Sequence, residues 1–164
     1  MNSDLPVVCL GEALIDRLGP PGGDPAIDGP GDDRLGGAPA NVACGLARLG
    51  TDVAFLGRLG ADAIGDRFVT LFLQRGVDVD SVQWDAQRPS RIVLVRRSAD
   101  GERQFRGFAG DEGLGFADQA LASVELPKQA RWLLTGTLPL AAHASAASLR
   151  GAVAQGKARG IALA

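Results

Sequence analysis

Tyrosine is absent from these 164 residues, and histidine and methionine occur once each. With His143 as the sole imidazole, and Cys9 and Cys44 far apart without paired spacing, neither a zinc site nor a disulfide is supported. Both thiols read as buried and free. An excess of one charge is also missing: 17 basic against 19 acidic residues give a formal net charge of −2. That balance offers no footprint for nucleic acid or an anionic membrane and leaves small-molecule chemistry. No apolar run approaches the roughly 20 residues of a membrane helix. Residues 1–11 lack the basic start and long apolar core of a secretion signal, so a cytoplasmic protein without a membrane partner is expected. What is plentiful is glycine, 23 residues in all, mostly at segment ends where they mark tight turns. A content of 46% apolar and 22% charged residues belongs to a globular chain with one sizeable core.

Residues 36–60, GGAPANVACGLARLGTDVAFLGRLG, hold a glycine turn, a capped helix, a second turn and a buried strand in succession. Gly36 and Gly37 suit positive φ or a close approach of ligand to backbone, and Pro39 fits a first helical turn, where its missing N–H costs nothing. Val42, Leu46 and Leu49 then recur as one apolar stripe until Gly50 ends the helix. Asn41 falls in the first turn, near unpaired backbone N–H groups. Gly36, Gly37 and Asn41 therefore form either an ordinary strand-to-helix turn or a polar corner suited to hydroxyls or an anion.

Upstream, residues 6–10 (PVVCL) are a continuous apolar run closed by Gly11, the pattern of a central strand in a parallel sheet. Residues 13–18 (ALIDRL) would place Leu14, Asp16 and Leu18 on one strand face and Ile15 and Arg17 on the other. Asp16 thus lies on an otherwise apolar face, where a carboxylate meets a basic side chain, is solvated near the strand end, or faces ligand hydroxyls. Residues 19–33 are too rich in Gly, Pro and Asp for a helix or central strand and predict a surface excursion.

Downstream, residues 53–56 (VAFL) predict a buried strand, and Asp62 caps a helix striped by Ile64, Phe68, Leu71 and Phe72 and ended by Gly76. The glycines of this turn do not read as GxGxxG, so a dinucleotide site is not supported. Val77, Val79 and Val82 predict a strand, and residues 83–89 a loop. Residues 91–97 and 102–106 around an Asp-Gly turn predict a hairpin serving as an edge or lid. Residues 107–115 predict a glycine-rich loop, 117–126 a short helix, 132–134 a buried strand ending in Thr135-Gly136-Thr137, and 141–159 a helix. Residues 161–164 predict the opening of another strand. Residues 151–158 (GAVAQGKA) space Gly151, Gly156 and Lys157 as a phosphate loop does, but Ala158 lacks the required hydroxyl and the stretch reads as continuous helix.

Residues 36–60 resemble, along their whole length, the first signature of the PfkB (ribokinase) family of carbohydrate kinases, with Gly36-Gly37, Pro39, Asn41, Ala43, Gly50 and Gly60 at the family's spacings. The resemblance implies an α/β chain with an incomplete three-layer ribokinase-like fold, a mostly parallel sheet and a small β lid. Residues 1–164 would be the sugar-binding half, with lid segments at about 14–35 and 91–106. Asp16, Gly36, Gly37 and Asn41 would orient the sugar. The hairpin's DGER and Phe105 resemble fructokinase-like members, which implies ATP-dependent phosphorylation of a sugar hydroxyl. The alternatives are a nucleoside or 2-keto-3-deoxy-sugar kinase, or a non-catalytic sugar-binding or dimerisation module.

Two departures follow. Where fructokinases often carry a Tyr-Arg pair that meets the sugar, this chain has Phe108-Ala109, and Arg106 either replaces that cation or is an ordinary solvated strand arginine. The family's second signature, Asp-Thr-x-Gly-Ala-Gly-Asp, which supplies the catalytic aspartate and an anion hole, does not occur in these residues. Gly110-Asp111 is the nearest Gly-Asp pair and lacks the preceding Gly-Ala. The resemblance therefore implies no catalytic, nucleotide-binding or metal-binding residue in this chain. ATP and Mg²⁺ would be needs of the complete enzyme, with no bound prosthetic group. The expected partners are the sugar, ATP and a second copy joined through the lid, and the chain alone is expected to lack kinase activity.

Overall fold

Two apolar faces alternate along Val7–Leu10 (β1), and the fold is built from covering both. The computed structural model describes residues 6–28, 31–110 and 115–164. The amino-terminal five residues and Asp111 of the Gly110-Asp111 pair lie outside the described residues. Among the described residues, β1 sits between Val53–Leu56 (β4) and Trp132–Thr135 (β9), and Ala162–Leu163 (β10) adds to β9, giving a parallel sheet in the order β10-β9-β1-β4. Val8 and Leu10 pack with Ala54, Leu56 and Leu133 against Leu149 and Ala152 of His143–Ala158 (α3). Cys9, Val53 and Phe55 face the other way, onto Ala40 and Ala43 of Ala38–Arg48 (α1) and Phe68 and Phe72 of Ala63–Arg75 (α2). The result is the expected helix–sheet–helix layering. Cys9 is buried as expected, and burial pushes its thiol up to about 12, whereas Cys44 is only partly covered.

Leu14–Pro21 (β2), Asp32–Gly36 (β3), Ile92–Arg97 (β7) and Arg103–Phe108 (β8) form a separate sheet in the order β3-β2-β7-β8. The two segments read as lid-like thus meet, because β2 pairs with β7 in parallel while β3 and β8 flank them antiparallel. Cross-strand partners share a face, so Leu14, Asp16 and Leu18 lie beside Gly36, Arg34 and Asp32 on one side and beside Val93 and Val95 on the other. The chain from Gly19 departs from its loop expectation by continuing β2 through Pro21, after an irregularity between Leu18 and Pro21 that absorbs the two prolines.

Five further expectations are corrected. Residues 117–126 make only a 3₁₀ turn at Ala117–Ala120, because the following backbone bonds to α3 side chains instead of to itself. Ser148 Oγ donates to the Leu121 carbonyl, Gln155 Nε2 donates to that of Val124, and the Leu126 amide donates to Gln155 Oε1. Val77, Val79 and Val82 form no strand: Asp78 bridges to β4, then its Oδ1 accepts from the Asp80 amide and turns the chain. Gln83–Asp85 (β6), expected as loop, pairs with Arg58–Gly60 (β5). Leu49, expected on the apolar stripe of α1, is 82% exposed because that helix has already reached its C-cap there. Trp132, expected in a buried strand, is half exposed.

Local chemistry holds the frame where polar groups are buried. Asp62 accepts from the Gly65 amide as N-cap of α2, and Gly76 closes that helix in the left-handed conformation. Burial pushes the Asp85 carboxyl up, yet the Gln87 and Arg88 amides and the Arg88 and Arg58 guanidinium groups outweigh it and hold it at about 2. A carboxyl depressed on folding stabilises the fold above its unfolded pKa near ~4, and that contribution fades as pH falls toward 2. Asp85→Asn should therefore lower stability by about 1–3 kcal/mol at pH 7, with the difference from the parent shrinking below pH 4. Urea melts across pH 2–7 would check this, and a pH-independent difference would count against it.

Candidate functional site

The site is assembled at the carboxyl end of β1, the strand from which the sheet runs to β4 on one edge and to β9 and β10 on the other. The Gly136 amide donates to the Leu10 carbonyl at 2.9 Å and the Gly11 amide to the Leu56 carbonyl at 3.0 Å, so the ends of β9, β1 and β4 converge. Crevices of α/β folds open at such switch points. From there the chain crosses Glu12 into β2, returns along β3 and enters α1 through the glycine pair.

Gly37 is the N-cap of α1 with φ 100° and ψ 125°, and an added Cβ would come within 2.6 Å of the Glu12 carbonyl oxygen. No other residue type fits both the conformation and the space. Gly36 is needed for approach instead, since a Cβ there would lie 2.5 Å from Asp16 Oδ2. The Asp16 carboxylate thus rests over the Gly36 backbone. It is half-buried, and among the described residues it accepts no hydrogen bond and forms no ion pair. Burial raises its pKa, partly offset by the charge of Arg103. Of the three surroundings open to Asp16, neither a bonded basic side chain nor full solvation is what the fold provides. Asn41 follows one turn into α1; its backbone amide donates to the Gly37 carbonyl, and its exposed side chain has no hydrogen-bond partner among the described residues. The structure therefore brings Asp16, Gly36 and Gly37 into one corner, with Asn41 at its rim.

Behind that corner lies a cluster that sequence reasoning missed. Arg91 precedes β7 by one residue, and its Nε donates to Asp118 Oδ2 at 2.8 Å with both side chains almost wholly buried. The guanidinium is stacked between Phe108 and Phe116, at 4.7 and 4.8 Å from the ring centres. Glu12, 7% exposed, feels the charges of both. Burial raises the Glu12 pKa most, with Asp118 adding to the rise and backbone amides and Arg91 opposing it. Among the described residues, Glu12 Oε2, Arg91 Nη2 and Asp118 Oδ1 have no hydrogen-bond partner. Arg106, the sequence's candidate cation, is exposed on β8, so the buried cation near the corner is Arg91. The available signal was Glu12, a lone charge between two apolar runs at a strand end.

Residues 151–158 lie inside α3, where their amides serve the helix, and no group of three metal-ligating side chains occurs among the described residues.

A parallel sheet with a glycine turn at its carboxyl edge, and a second sheet leaving from the same corner, defines the small-molecule site of an α/β protein. The chain belongs to the pfkB family of carbohydrate kinases, whose pattern matches residues 5–159. It is 36% identical over 138 residues to fructokinase-1 of Oryza sativa subsp. japonica, a match covering 84% of this chain and 43% of that protein. It superposes on the fructokinase of Halothermothrix orenii with a TM-score of 0.81 and 26% identity, covering 97% of this chain and 56% of the other. The fructokinase of Vibrio cholerae O395, solved in a form with fructose, ADP and calcium bound, matches with a TM-score of 0.76 and 28% identity over 99% of this chain and 49% of that one. The chain thus spans about half the length of these relatives.

Proposed function

We propose that this chain is the sugar-binding portion of an ATP-dependent sugar kinase acting on fructose, and that Asp16, Gly36, Gly37 and Asn41 hold the sugar. The observation that carries this reading is the Asp16 carboxylate, half-buried over Gly36 without a hydrogen-bond partner among the described residues. An ionised carboxyl in that position needs donors, and sugar hydroxyls supply them in pairs. Asn41, at the amino end of α1, adds an amide that both donates and accepts. Gly36 lets the sugar ring approach the backbone, Gly37 turns the chain into the helix, and the β3-β2-β7-β8 sheet serves as the lid. The similarity to fructokinases, one of them with fructose and ADP bound, supports both the substrate and the use of ATP. The phosphoryl-transfer machinery belongs to sequence that these 164 residues do not contain.

Asp16→Ala and Asn41→Ala should each weaken D-fructose binding about 10- to 100-fold, the loss of hydrogen bonds worth roughly 1–3 kcal/mol. Because burial raises the Asp16 pKa, its ionised form opposes folding above the unfolded pKa, so Asp16→Ala should leave the melting temperature unchanged or slightly higher. For the same reason fructose affinity should fall on acidification at a pH above that of an ordinary aspartate. Titration calorimetry across pH, together with thermal melts, on the two variants and the parent reads all three effects, and unchanged affinity in both variants would sink the assignment. The 164-residue chain with ATP and fructose should release no ADP, and sustained ADP release by contaminant-free protein would show that the phosphate site had been overlooked.

A further inference from the structure

The polar corner has a back wall, and its chemistry is unusual for a protein interior. Three side chains from separate stretches of the chain bring one donor and two acceptors together: Arg91 Nη2, Glu12 Oε2 and Asp118 Oδ1, each without a partner among the described residues. Buried polar groups in native structures are nearly always satisfied, by protein or by an enclosed molecule. Arg91 is held in place, because the Phe108 and Phe116 rings both lie against its guanidinium and Asp118 holds Nε. The Ile15 amide donates to the Arg91 carbonyl, and Arg91 is two residues before Val93, which pairs with Asp16 and Phe108. Arg91 therefore shares a sheet face with Asp16. Glu12 closes the group from the other side, its Oε2 beside Gly136 and Pro39.

The geometry points to a second subsite of the sugar pocket, in which Arg91, clamped between Phe108 and Phe116, donates Nη2 to a ligand hydroxyl while Glu12 or Asp118 accepts from it. Arg91 is thereby a specificity-determining residue that favours an uncharged polyol over a sugar acid. This inference rests on the reading of Asp16, Gly36, Gly37 and Asn41 as a sugar site. The preference follows from charge: the guanidinium is already neutralised by Asp118, and Glu12 adds a further acid, so a carboxylate ligand would meet no free positive charge. A hydroxyl carries both a donor and an acceptor and matches orphans of both kinds.

The test compares D-fructose with D-gluconate on the full 164-residue chain, by calorimetry and by nitrogen-15 NMR of the arginine side chains. In the unaltered chain, fructose should shift the Arg91 Nε–H resonance. Arg91→Gln should lower fructose affinity at least about tenfold. Asp118→Asn keeps the shape and an acceptor but frees the cationic charge, so it should raise the gluconate-to-fructose affinity ratio at least about tenfold. If Arg91→Gln fails to fold, the resonance in the parent and the ratio in Asp118→Asn decide. Fructose binding that needs Asp16 but leaves the Arg91 resonance and the ratio unmoved would overturn the subsite, leaving a trapped water as its occupant and the sugar site intact. Failure of the parent to bind fructose at all would overturn the sugar site and the subsite together.

Discussion

Asp118→Ala is expected to lower the melting temperature by about 6–20 °C, the largest effect of any single substitution considered. It leaves the Arg91 guanidinium buried and unpaired, and removing one partner of a buried pair costs about 3–5 kcal/mol, where each kcal/mol moves a domain of this size by roughly 2–4 °C. Both side chains are shielded from bulk solvent, so water does not restore the negative charge that the guanidinium loses. The pair itself need not be favourable relative to apolar residues. Arg91→Met combined with Asp118→Leu should consequently recover most of the lost stability, because it removes the charge along with its partner. Thermal melts followed by circular dichroism on the single and double variants would check both statements. A single variant that melts within 2 °C of the parent would show that the pair is hydrated, and a double variant no better than the single would show that shape outweighs charge there. Recovery of stability without recovery of fructose binding would separate the pair's structural part from its part in recognition.

Gly37→Ala should cost about 3 kcal/mol or more, a drop of roughly 6–12 °C, and should abolish fructose binding besides. Backbone strain alone accounts for about 1–3 kcal/mol. The rest comes from the new methyl meeting the Glu12 carbonyl, a backbone atom that cannot swing aside without moving the link between β1 and β2. The two consequences are coupled, since relieving the overlap displaces Glu12 and the corner under Asp16 at once. Gly50→Ala is the control. Gly50 is also at positive φ, but a Cβ there meets nothing within 4 Å. It should lose only the strain contribution and leave fructose affinity unchanged. Equal losses at the two positions would mean that the Glu12 contact carries no weight.

How legible this was in the sequence depends on how local the physics is. The Gly37 turn, Pro39 in the first turn of α1, the Asp62 cap and the Gly76 stop each follow from a few adjacent residues, and the structure has each of them. The face on which Asp16 sits followed from strand alternation alone, because neighbours two apart cannot exchange faces. The failures that matter for the site involve partners distant in sequence. Residues 121–126 look helical until Ser148 and Gln155 of α3 take their backbone groups. Arg91 looked like the first residue of a charged hairpin, and only the meeting of β7, β8 and the 3₁₀ turn shows that it is clamped and buried. Glu12 is marked in the sequence only as a lone charge between two apolar runs, and Asp118 not at all, since what sets both apart is that Glu12 Oε2 and Asp118 Oδ1 find no hydrogen-bond partner among the described residues.

The strand order β10-β9-β1-β4 also sets a schedule for folding. β1 is synthesised ahead of β2, β3 and α1, and meets β4 after them. Its other edge then stays open while α2, the β5-β6 pair, β7 and β8 are synthesised, until Trp132–Thr135 emerges to cover it. Contacts this distant in the chain slow the search for the native state, and an apolar strand edge exposed for that interval is a point of capture by other chains. The growing polypeptide is thus most vulnerable between the emergence of β4 and that of β9, the window in which a chaperone holding Val7–Leu10 would raise the yield of folded protein most.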